Sequence, residues 1–78
     1  MKKFYVALYS NFEGNNILFQ IKSDNEFDAV KKALFLHAES TESRTSDFDS
    51  WVNGFKDIDD LKQQCMNCDL CVSNVIEN

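Results

Sequence analysis

Two runs of alternating apolar and polar residues open the chain, separated by a segment built to turn. Nothing else in the sequence restricts the fold as much. From Lys3 to Ser10, Phe4, Val6 and Leu8 share one parity, and Tyr5, Ala7 and Tyr9 the other. That is the period of a strand with two distinct faces. Residues 16–22 repeat the pattern, with Ile17, Phe19 and Ile21 opposed to Leu18, Gln20 and Lys22. The intervening Asn11-Phe12-Glu13-Gly14-Asn15-Asn16 supplies glycine and asparagine, the residues that tolerate positive φ. Together these features predict an antiparallel β-hairpin.

The period then changes. Ser23-Asp24-Asn25-Glu26 reads as a capping box, with Ser23 or Asp24 closing the first turn of a helix and Glu26 reaching back. The helix extends to about Ala38, and its apolar stripe of Phe27, Val30, Leu34, His37 and Ala38 lies on the hairpin. Phe35 sits at the stripe's edge and Leu36 on the opposite side, so a later segment or a partner must cover them. Residues 39–47 contain no apolar side chain and predict a mobile surface loop. Ser46 or Asp47 caps a short helix that runs through Asn53 and ends at Gly54 in a left-handed conformation. Its apolar face is Phe48, Trp51, Val52 and Phe55. Asp57 caps a further helix carrying Ile58, Leu61 and Cys65, with Asp59 and Asp60 in the first turn where the helix dipole favours acids. Leu70 to Ile76 predicts a last, half-buried strand. The expected architecture is one α+β domain over residues 1–78, ordered β-β-α-α-α-β. The hairpin and the C-terminal strand form a three-stranded sheet, with the last strand beside the first and the helices on one face. The turns made by the short helices set the direction of that strand, and antiparallel is the simpler arrangement.

Composition bounds the function. A chain of 78 residues holds one small core, and 44% hydrophobic residues, including seven Phe, are enough to build it. No apolar run approaches the roughly 20 residues that span a bilayer. Tyr9, Ser10, Asn11 and Glu13 interrupt the opening Met1-Lys2-Lys3-Phe4 before a secretory signal can develop. Three cysteines, an odd number, suit a reducing compartment better than a disulfide framework, so the expected location is cytoplasmic. The net charge of −5 is unevenly placed: residues 39–78 hold nine acids against Arg44, Lys56 and Lys62, a net −6. Direct binding to a nucleic-acid backbone needs clustered Lys and Arg and is disfavoured. An acidic half is either a solvated surface or a face that docks on a basic one.

Cys65-Met66-Asn67-Cys68-Asp69-Leu70-Cys71 is a C-x2-C-x2-C run. A zinc site would need a fourth ligand, for which His37 is the only histidine, and an iron–sulfur cluster would need a fourth thiolate. The simpler reading makes Cys65 and Cys68 a continuation of the Ile58-Leu61 stripe and Cys71 a strand residue, all three small buried hydrophobes. No cofactor or metal is then expected, and His37 serves as a helix-end residue favoured by the dipole. Cysteine–histidine catalysis would require an orienting group and an oxyanion site that no motif supplies, and no phosphate-binding loop occurs. The acids around Phe48, Trp51 and Phe55 lack the spacing of a calcium loop. Acids interleaved with large aromatics fit a protein-binding surface, in which aromatic anchors carry most of the energy. Asp47, Asp49, Trp51, Asp57, Asp59 and Asp60 are the candidate partner-binding residues. Core packing is the competing fate of Trp51. Tyr5 and Tyr9 on the outer sheet face could stack bases, but Lys2, Lys3 and Lys22 provide little charge for that.

With this layout the chain resembles the small anti-CRISPR and anti-restriction proteins that bacteriophages make against host defences. The resemblance rests on length, the hairpin Phe4–Lys22, the capped helix opened by Ser23-Asp24-Asn25-Glu26-Phe27, and the acidic second half. It implies a non-enzymatic inhibitor in the host cytoplasm that occupies the basic surface of a defence nuclease or nucleic-acid-binding complex. The first forty residues are also similar to HicB-type antitoxin domains, which pair a hairpin with a helix but carry a Pro-Gly segment before it. A small zinc-binding module on Cys65, Cys68 and Cys71 is the alternative.

Overall fold

A computed structural model describes residues 2–10, 14–67, 70–72 and 75–77. Strands β1 (Lys2–Ser10) and β2 (Asn15–Ser23) form the hairpin, antiparallel and in unbroken register from Lys2↔Ser23 to Ser10↔Asn15. Gly14 closes it with φ +71, its N–H donating to the Ser10 carbonyl at 2.7 Å. This is the left-handed conformation that glycine adopts without a Cβ clash. Asn11, Phe12 and Glu13 of the expected turn lie outside the described residues. Phe4, Val6, Leu8 and Ile21 are buried, as the alternation predicts, while Leu18 on the other face is exposed.

Helix α1 (Glu26–Ser40) is capped by neither Ser23 nor Asp24, the expected caps. Asn25 caps it, its Oδ1 accepting from the Asp28 N–H at 2.9 Å. Ser23 instead ends β2, buried, and its hydroxyl has no hydrogen-bond partner among the described residues. Pairing with Lys2 keeps Ser23 in the ladder, so the chain turns into the helix only at Asn25. The buried stripe is Ala29, Val30, Ala33, Leu34 and Ala38, with Phe27 and His37 only half-buried at its margins. Alanines let the helix axis approach the sheet, which turns the contact face toward them.

Of residues 39–47, only 41–45 form the expected surface connection, since α1 runs to Ser40 and the next helix begins at Ser46, and that connection is hydrogen-bonded. Ser43 N–H donates to the Ala38 carbonyl at 2.8 Å and Glu42 N–H to that of Glu39 at 3.1 Å, with Glu42 at φ +58. These are the paired bonds of a Schellman cap, with glutamate where glycine is usual. Two residues later Thr45 caps α2 (Ser46–Asn53), accepting from Phe48 N–H at 3.1 Å, in place of Ser46 or Asp47. Gly54 follows in a right-handed conformation, φ −77, not the expected left-handed one. The helix ends by tightening: Gly54 N–H bonds to both the Ser50 and Trp51 carbonyls, and Phe55 N–H to that of Val52. Asp57 caps α3 (Ile58–Asn67) as expected, its Oδ1 accepting from Asp60 N–H at 2.8 Å.

The last strand is present in two pieces, β3 (Leu70–Val72) and β4 (Ile76–Glu77). Both run antiparallel to β1, through Leu8↔Val72 and Tyr5↔Ile76. Three residues separate Val72 from Ile76 where only two separate Leu8 from Tyr5, so the pairing shifts by one. That offset places Val72 opposite buried Leu8 but Ile76 on the outer face. The fold is α+β in the expected order, with an antiparallel sheet β2-β1-β3 and β4 also on β1. Helix residues Val30, Leu34, Val52, Leu61 and Cys65 complete one core with Phe4, Val6 and Leu8. Among the described residues no helix is long and apolar enough to cross a membrane.

Candidate functional site

The candidate residues sit on α2 and the start of α3, and their roles divide. Asp49 turns toward its own molecule, accepting from Arg44 Nε at 3.0 Å and Nη2 at 3.3 Å, while Arg44 Nη1 meets Glu39 at 2.6 Å. Arg44 therefore joins the end of α1 to the first turn of α2, and its guanidinium stacks 4.6 Å from the Phe35 ring centroid. The hydrogen bond to Asp49, ahead of the other contributions, raises the pKa of Arg44 above its ordinary value. Asp47 is exposed, and four residues on, one turn along the same helix face, stands Trp51. Asp57, Asp59 and Asp60 are exposed at the head of α3, with Asp57 also serving as its cap.

Phe35, Phe48, Trp51 and Phe55 form a continuous aromatic row, with successive ring centroids 6.2, 6.0 and 5.2 Å apart. The first and last contacts are edge-to-face, the arrangement ring quadrupoles favour. Helix α2 is thus the later segment that covers Phe35. Core packing of Trp51 does not occur: 39% of it is exposed, whereas Val52 beside it is fully buried. An eight-residue helix has one inward stripe, and Val52 and Phe48 fill it. Trp51 is left at the margin, over a cleft of about 320 Å³ lined by Leu34, Phe48, Trp51, Cys65 and Leu70. All five lining residues are apolar. Leu34 and Leu70 are 36 positions apart in sequence, so no local pattern could have joined them.

Cys65 lies in the floor of this cleft, 1% exposed. Cys71 is half-buried opposite Tyr9, on the sheet face turned away from the helices. Cys68 lies outside the described residues. The sheet thus separates two of the three thiols, and no group of potential ligands converges among the described residues. The His37 Nδ1 atom is buried without a hydrogen-bond partner among them. The outer sheet face carries Leu18, 67% exposed, and Ile76, 65% exposed, together with Tyr9. No protein-family model matches the chain, and comparison with curated proteins and with solved structures returned no match.

Proposed function

We propose that this protein acts by binding another protein, without catalysis of its own, through the acidic and aromatic surface of α2 and α3. The observation that carries the reading is Trp51, large and 39% exposed at the lip of an apolar cleft in the acidic half of the chain. A tryptophan in that position offers a rigid anchor with an apolar cavity beside it, as interface hot spots do. The partner's surface is basic, since residues 39–78 carry a net −6 and Asp47, Asp57, Asp59 and Asp60 are exposed there. Asp49 contributes by holding α2 through Arg44. The resemblance to phage anti-defence proteins extends the proposal to a host nuclease or nucleic-acid-binding complex, met in the cytoplasm.

The test begins with capture of the partner from host lysate and continues with the purified pair. Trp51 is the only tryptophan of this chain, so a fluorotryptophan placed there gives an NMR signal that reports its engagement. Association should slow as salt rises, because the attraction is screened beyond about 8 Å at physiological ionic strength. Charge reversal at Asp57, Asp59 and Asp60 should slow association, with a stability control for the Asp57 cap. Reversal of Lys2, Lys3 and Lys22 should matter far less. If the lysine changes abolish binding and the aspartate changes leave it intact, the docking face is the sheet and the proposal fails.

A further inference from the structure

The pattern of α1 places Leu36 off the stripe that meets the sheet, and in the structure it stays 43% exposed. It borders a second cleft, of about 380 Å³, whose other wall is strand β2 at Gln20, Ile21 and Lys22. Successive strand side chains point to opposite faces. A cavity that reaches three in a row therefore lies along the strand's edge and not on either face. Among the described residues β2 pairs only with β1, so this edge carries no further strand. One of its main-chain acceptors is met by a side chain instead: Lys32 Nζ of α1 donates to the Lys22 carbonyl at 3.0 Å. A lysine set against a sheet edge is a common guard against unwanted pairing, and it can move aside.

The charge of this cleft is opposite to that of the molecule. Lys22, Lys32 and Arg44 line it against Glu39 alone, in a chain of net −5. Arg44 is held by its carboxylates, which leaves Lys22 and Lys32 as the two cations able to reorient. Phe35 and Leu36 supply an apolar wall on the helix side.

We propose that the groove between β2 and α1 binds an extended acidic peptide segment of a partner protein, added to the sheet as a strand beside β2. The peptide's main chain pairs with the β2 edge, and alternate apolar side chains rest on Phe35 and Leu36. A peptide N–H replaces Lys32 at the Lys22 carbonyl, and the carboxylates, on the opposite face from the apolar side chains, engage Lys22. Main-chain pairing supplies affinity and the side-chain sites supply selectivity. This surface is separate from the Trp51 cleft, and the proposal does not depend on the one made there.

The probe is a fluorescein-labelled peptide of about eight residues alternating glutamate and valine. Its controls are a lysine–valine peptide and a glutamate–valine peptide N-methylated at alternate amides. Fluorescence anisotropy gives affinity, and amide shifts of the isotopically labelled protein give location. The expected result is a dissociation constant of roughly 10–100 μM, with shifts at Phe19 to Lys22. N-methylation should weaken binding about tenfold, and Leu36→Gln or Lys22→Gln each about fivefold. Both substitutions are at exposed positions, and circular dichroism verifies that the variants remain folded. Any of four results overturns the proposal. These are no binding at about 1 mM peptide, equal binding of the lysine peptide, indifference to N-methylation, or displacement by inorganic polyphosphate without shifts along β2.

Discussion

Replacing Ser23 with alanine should make this protein more stable, the reverse of what its sequence context suggests. As a helix cap, Ser23 would lose about 0.5–2 kcal/mol on truncation. In the structure it is a strand residue, 1% exposed, whose hydroxyl has no hydrogen-bond partner among the described residues. A buried hydroxyl without a partner costs about 1–3 kcal/mol in lost hydration. Removing one oxygen atom returns that penalty less a small loss of packing, a net gain of about 1 kcal/mol. For a chain of this size that gain raises Tm by about 4–8 °C. Asn25→Ala is the matched control: it removes the cap bond to Asp28 N–H and should cost about 1 kcal/mol. Equilibrium urea unfolding followed by far-UV circular dichroism separates the cases, with an unchanged m-value showing that only stability moved. A Ser23→Ala variant less stable than the parent by about 0.5 kcal/mol or more would refute the reasoning, because the hydroxyl would then be making a favourable bond.

Three further outcomes follow from the same structure. Glu42→Gly should stabilise by about 0.5–1 kcal/mol, because Glu42 holds the left-handed position of the Schellman cap at φ +58; thermal unfolding measures it. Leu61→Ala should destabilise by about 2–5 kcal/mol, since Leu61 is fully buried and fixes α3 to the core, whereas Met66→Ala, more than half exposed, should change stability by less than about 0.5 kcal/mol in the same urea assay. Chelator should leave Tm unchanged within about 1 °C and Cys71→Ser should be nearly silent, while Cys65→Ala should cost about 1 kcal/mol by opening a small cavity in the core; stoichiometric zinc in the purified protein, with unfolding on its removal, would contradict this.

The readings that held are those fixed by short-range geometry. Alternation assigned Phe4, Val6 and Leu8 to the core and Leu18 to the outer face, because a strand's side-chain period leaves no choice once one face is apolar. The Asp57 cap was legible because an acid preceding a helical stripe has a local partner three residues on. At the start of α1 the sequence offered Ser23 or Asp24 as the cap, but pairing with Lys2 assigned Ser23 to the strand and the cap fell to Asn25. The Schellman turn at Glu42 was hidden because no glycine marks it. Hydrogen bonds back to Ala38 and Glu39 hold a glutamate where sequence statistics expect glycine.

The candidate site divides along the same line. Acids interleaved with aromatics in residues 47–60 could be read directly from the sequence, since charge and ring type belong to each residue alone. Whether Trp51 faced the core or solvent could not, because an eight-residue helix with Phe48, Trp51, Val52 and Phe55 can bury only part of that set. The choice depends on where α1 and α3 stand, and they accept Val52 and leave Trp51 at the lip. Both clefts are likewise made of distant segments, Leu34 with Leu70 and Leu36 with Ile21. By itself the sequence determined the hairpin and its two faces, the three helices, the order of the elements and the sign of the charge, but not the division of the last strand. Tertiary packing alone decided which apolar side chains stayed outside, because a core of this size closes before all of them can enter.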